Sequence, residues 1–112
     1  MNTIKIFYLK LKTYFAVRGL WKSYKSLKQD VLNGSKQCYK LKEDAALLDI
    51  PNDTRIAIID CCMRCDDLND RIKQLGNLLS TKDYKGAQYL TGFISRSLEE
   101  LQNTLWELSK KF

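Results

Sequence analysis

From Thr54 to Phe112 the apolar residues recur at alternating steps of three and four. Ile58, Cys61, Cys65, Leu68, Ile72, Leu75 and Leu79 form one series; Ala87, Leu90, Ile94, Leu98, Leu101, Leu105 and Leu108 form a second, which Phe112 continues. That spacing lines one side of an α-helix, whereas a strand needs alternation at every second residue, which neither segment holds. The two runs therefore predict a long helical hairpin over about 54–79 and 82–111. Between them Ser80 stands three residues before Asp83, the spacing of a capping box that satisfies amides at a new helix start. Asp53 or Thr54 is the expected cap of the earlier helix. Its first turns carry Ile56, Ala57, Ile58 and Ile59 in succession, which predicts an end buried on more than one side.

The N-terminal third has a less simple pattern. Residues 3–33 contain no proline and one glycine, Gly19, so helix is expected throughout. At about 100° per residue, Ile4, Phe7, Leu11, Tyr14 and Phe15 fall on one side, while Leu20, Tyr24, Leu27 and Val31 fall nearly opposite. Ile6 and Leu9 carry the apolar surface around the back before Gly19. After it, Arg18, Lys22 and Lys25 make a basic stripe opposite Leu20, Tyr24 and Leu27, the pattern of a helix with one side in a core and one in water. A straight helix here needs partners on both sides; otherwise it bends at Gly19. Asn33-Gly34-Ser35 predicts a break, with Gly34 past a helix end and Ser35 capping a short helix. That helix, about 36–48, carries Cys38, Leu41, Ala45 and Leu48 on one face and ends before Ile50-Pro51. The expectation is an all-α single domain spanning 1–112: a three- or four-helix antiparallel bundle with helices near 3–33, 36–48, 54–79 and 82–111, the last two packing in coiled-coil fashion.

Length and composition fit this picture. A chain of 112 residues supports one modest core. With 45% apolar residues, one proline and five glycines, it is not a disordered segment. Charge changes the picture by its placement. Residues 1–42 hold ten Lys/Arg against the single acid Asp30, whereas residues 43–112 hold nine against twelve, for an overall +6. A basic first third steers anionic partners. The lysines interleaved from Lys5 onward interrupt any signal-peptide core, and no run reaches the roughly 18 apolar residues of a membrane span. The expected location is cytoplasmic, with peripheral attachment to a membrane as the alternative.

Candidate chemistry is sparse. Cys62-Met63-Arg64-Cys65 has the spacing of a redox or zinc half-site, with Cys61 adjacent and Cys38 elsewhere. Zinc needs four convergent ligands, the chain has no His, and Cys61 and Cys62 project about 100° apart on a helix. Core packing explains Cys61 and Cys65 better, since a free cysteine behaves as a small hydrophobe. Disulfides are not expected in a reduced compartment. The acids Asp60, Asp66, Asp67, Asp70, Glu99 and Glu100 fall on polar sides, and the Glu-x-x-His pairs of a di-metal bundle are missing. With no imidazole base and no phosphate-loop glycine spacing, the reading is no enzyme, no cofactor and no metal.

What remains is the N-terminal third. The interface candidates are Ile4, Phe7, Leu11, Tyr14, Phe15 and Trp21, and the candidate contacts to an anionic partner are Lys5, Lys10, Lys12, Arg18, Lys22 and Lys25. The expected role is that of a small, basic, regulatory protein that binds another protein, or a second copy of itself as a homodimer, through its first helix. Nucleic acid or an anionic membrane surface is the alternative partner; a small-molecule substrate is not expected.

Overall fold

The computed structural model describes residues 3–111 and contains three helices, α1 (Thr3–Leu47), α2 (Asn52–Ser80) and α3 (Tyr84–Ser109), with no strand among them. They form an antiparallel three-helix bundle in which each helix touches the other two. Phe112, expected to continue the α3 stripe, lies outside the described residues.

The apolar stripes of α2 and α3 meet as the spacing predicts. Ile58, Cys61, Cys65, Leu68, Ile72, Leu75 and Leu79 are buried against Ala87, Leu90, Ile94, Leu98, Leu101, Leu105 and Leu108, and α1 closes the core with Leu27, Val31, Gly34, Cys38 and Ala45. Cys62 is buried too, so α2 presents a broader stripe than its periodicity marks.

The turn between α2 and α3 is tighter than the capping-box spacing suggests. Ser80 is the last residue of α2, and Asp83 itself is the N-cap of α3, its Oδ1 accepting from the Gly86 amide at 3.0 Å. The Asp83 amide donates to the Leu78 carbonyl at 2.8 Å and the Lys82 amide to the Leu79 carbonyl at 3.2 Å. That pair is the Schellman arrangement, which places Lys82 in the left-handed region at φ 63°. At the other end α2 starts after Pro51, which cannot cap through a side chain; its carbonyl accepts from Thr54 and Arg55 at 3.1 Å each. Asp53 instead accepts from the adjacent Thr54 amide at 2.9 Å.

Three further expectations are corrected. The break at Asn33-Gly34-Ser35 does not form: α1 runs unbroken to Leu47, so the segments 3–33 and 36–48 are one helix, with no interruption at Gly19. Gly34 faces the core, where Leu98 Cδ1 lies 4.0 Å from the position a β-carbon would take. A glycine costs a helix interior about 1 kcal/mol, less than is gained by seating Val31 and Cys38 on the same side of one continuous helix. Leu48 is exposed in the link after α1 rather than on its inner face, and of the three isoleucines at the start of α2 only Ile58 is buried, leaving Ile56 and Ile59 in water. There α1 and α3 pack on the side of α2 that carries Ile58, and no further helix covers the rest.

The register of α1 on α2 sets the shape of the molecule. Tyr24 lies against Gly76, and Cys38 against Cys65, so the last residue of α2 comes level with about Leu20. At about 1.5 Å per residue, residues 3–18 then extend about 24 Å past the α2–α3 turn. The long dimension of the molecule is 72 Å, against 23 and 17 Å across.

Candidate docking surface

The side chains of this extension are set by two conditions: the direction in which α1 presents them, and the absence of α2 and α3 beyond the turn. The core-facing side of α1 is marked by Leu27, Val31, Gly34, Cys38 and Ala45. Counting 100° per residue back from these, Phe7, Tyr8, Leu11, Tyr14 and Phe15 fall on the opposite, outer side together with Ile4. All six are exposed, Phe7 by 66%. The rings of Tyr14 and Phe15 meet edge to face with centroids 5.6 Å apart. Ile6 and Leu9 lie on the core-facing side but past the end of the bundle, so they are exposed as well. Trp21 is placed differently from the other interface candidates: it is half-buried at the end of the bundle, edge to face with Tyr24 at 5.8 Å.

The cations complete the surface. Lys10 borders the outer apolar stripe on one side, and Lys5 and Lys12 border it on the other. Arg18, Lys22 and Lys25 continue the outer line, and Lys36 and Lys40, not singled out by sequence, extend it along the bundle. All eight are exposed. No acid precedes Asp30 in the chain, and the first on the outer line is Glu43. The ion pairs among the described residues, Arg64 with Asp60 at 2.9 Å, Arg71 with Asp67 at 3.9 Å and Lys110 with Glu107 at 3.8 Å, all lie on α2 or after α3's last turns begin. The positive charge of α1 therefore faces solvent without an acidic neighbour to quench it in those pairs.

The other candidates have structural occupations. Cys38, Cys61, Cys62 and Cys65 are free and buried, and among the described residues no group of three or more His, Cys, Asp or Glu is placed to hold a metal ion. Asp66 accepts from the Tyr39 hydroxyl at 3.0 and 3.1 Å, linking α1 to α2 and raising the phenol's pKa through that bond. A cleft of about 400 Å³ between the C-terminal ends of α1 and α3 is lined by Leu41, Leu105 and Trp106, with Gln37, Lys40, Asp44, Gln102 and Ser109 around them. It holds no imidazole and no thiol. No helix among the described residues is long and apolar enough to cross a membrane.

The extension itself is what sequence reasoning missed. Its signal was present: residues 3–17 are apolar on two opposite sides, and a helix that no single core surrounds must leave part of that surface uncovered. No family model matches the chain, and neither a curated protein nor a solved structure matches it.

Proposed function

We propose that this is a non-catalytic docking protein in which the three-helix bundle is a rigid holder and residues 3–18 of α1 are the part that engages a macromolecular partner. The observation that carries the reading is the helical extension with Phe7, Tyr8, Leu11, Tyr14 and Phe15 exposed together on one side. Each such side chain gains about 1.5–3 kcal/mol on full burial, and clustered apolar surface of this kind marks interaction sites. A second copy is one occupant with an observation behind it, because Ile4, Phe7, Leu11 and Tyr14 have the three-four spacing of a short coiled-coil seam. Self-association or capture of a protein partner through that seam is the regulatory role the sequence suggests.

Lysine-reactive footprinting tests the reading whatever the partner is. In the protein's native surroundings Lys5, Lys10 and Lys12 are expected to label several-fold more slowly than in the dilute purified chain, while the exposed bundle lysines Lys73 and Lys85 label equally in both. Equal labelling of all five removes the docking role.

A further inference from the structure

We infer that the outer side of α1 is a seat for an anionic lipid bilayer, with the apolar tip entering the boundary between headgroups and acyl chains and the lysine track lying over the headgroups. The inference rests on the docking reading above and names its partner. Two chemically different surfaces follow one another along one side of one helix: Phe7, Tyr8, Leu11, Tyr14 and Phe15, then Arg18, Lys22, Lys25, Lys36 and Lys40. An anionic bilayer uses both, because apolar burial and attraction of cations to headgroups act together on an interfacial helix.

The geometry suits a plane. Helices α2 and α3 pack on the opposite side of α1, so the bundle stands away from a surface laid along the outer line. Lys10 on one border of the tip, with Lys5 and Lys12 on the other, can run their alkyl stems down the apolar stripe and hold their ammonium groups at headgroup level. The rings of Tyr8 and Tyr14, apolar in body and polar at the tip, suit the same depth. The helix lies on the membrane rather than crossing it.

Other occupants leave one half of the surface without a use. A second copy joined through the tips places four cations beside four more with no acid in either segment, and leaves the track idle. A nucleic acid takes up the track and leaves Phe7 and Leu11 in water. Of these three occupants the bilayer is the one whose charge and apolarity complement both halves.

The test is co-sedimentation of the full chain with phosphatidylserine–phosphatidylcholine vesicles and with vesicles of phosphatidylcholine alone. Tight partitioning to the anionic vesicles is expected, weakened by salt and abolished in Phe7→Asp/Leu11→Asp. The reversal Lys22→Glu/Lys25→Glu/Lys36→Glu is expected to weaken it by at least about 100-fold, at about fivefold per lysine. Equal binding to both vesicle types, or indifference to the charge reversal, overturns the inference. Binding of a DNA or RNA oligonucleotide that survives Phe7→Asp/Leu11→Asp, with no vesicle binding, overturns it in favour of a nucleic-acid surface. No vesicle binding together with slowed labelling of Lys5, Lys10 and Lys12 in native surroundings removes the bilayer and keeps docking; absence of both removes both. Circular dichroism of the double variant supplies a further check, since loss of the bundle's helicity would place Phe7 and Leu11 in the core and overturn the inference as well.

Discussion

Cys38 of α1 and Cys65 of α2 bring their sulfurs to 3.2 Å in a part of the core where neither side chain is exposed. The contact joins the C-terminal part of the longest helix to the middle of α2, and it is a thiol pair rather than a disulfide. Once one proton leaves, the other is held between the two sulfurs. The Cys38 pKa is therefore pushed far up, first by the hydrogen bond and then by burial, while that bond draws Cys65 down against its own desolvation. Burial also raises Cys61 and Cys62.

These thiols are expected to be inert in the folded protein. An aromatic disulfide reagent should label none of them in native buffer and all four in denaturant; fast labelling of even one in native buffer counts against the closed core. A pH dependence follows as well. Folded Cys38 keeps a proton that an unfolded thiol releases, so its contribution to stability is full below about pH 8.5 and is lost as pH rises beyond. Urea midpoints measured in reductant above about pH 8.5 should fall more steeply for the native chain than for Cys38→Ala/Cys65→Ala, which removes both members of the pair so that Cys65 cannot take over the retained proton. Parallel slopes would show that Cys38 ionises normally.

Lys82 sits at φ 63° because the Schellman turn requires a left-handed residue there, and a β-carbon makes that conformation costly. Glycine removes the cost. Lys82→Gly is expected to stabilise the bundle by about 1 kcal/mol, and Lys82→Val to destabilise it by a similar amount, since a branched β-carbon fits that region worst. The two urea midpoints should bracket that of the native chain. The same order of midpoints would be lost if the turn relaxed into another geometry.

Two buried-side glycines separate helix propensity from packing. At Gly34 an added methyl meets only Leu98 Cδ1 at 4.0 Å, an ordinary contact, so Gly34→Ala is expected to gain about 0.5–1 kcal/mol. At Gly76 it meets the Tyr24 hydroxyl at 3.0 Å and the ring at 3.3 Å, so the ring must tilt out of its seat against Trp21. Gly76→Ala should recover less of the propensity gain, or none. An equal gain at both positions would mean that Tyr24 is not held against α2.

The helical hairpin was legible in the sequence because its two stripes are regular and each buries against the other, so period alone reports contact. Asn33-Gly34-Ser35 misled because local turn chemistry competes with core contacts that only the third dimension reveals: Val31 and Cys38 are buried on either side of it, and the helix continues through Gly34. Ile56 and Ile59 misled for the converse reason, since an apolar run predicts burial only where a second helix is present to supply it. The opposed stripes of the N-terminal third were readable as two different jobs. Where the first job ends was not, because it depends on the register of α1 against α2, fixed by Tyr24 over Gly76 and Cys38 against Cys65. Lys36 and Lys40 joined the basic line only once the expected break disappeared.

That division of α1 predicts a sharp contrast in stability. Leu101 is buried in the α3 stripe at 1% exposure, and Leu101→Ala removes contacts and leaves a cavity, at a cost of about 2–5 kcal/mol. Phe7 and Leu11 touch no part of the buried core and stand past the α2–α3 turn, so Phe7→Asp/Leu11→Asp should change the bundle's stability by no more than about 0.5 kcal/mol. Both variants are measured by urea unfolding followed at the far-ultraviolet helix signal, in dilute protein without lipid. A large loss in the double variant would mean that the extension folds back on the bundle. A loss below about 0.5 kcal/mol in Leu101→Ala would mean that α3 presents a different face to its neighbours. The two measurements together locate the boundary between the part of α1 that holds the protein together and the part that is free to engage something else.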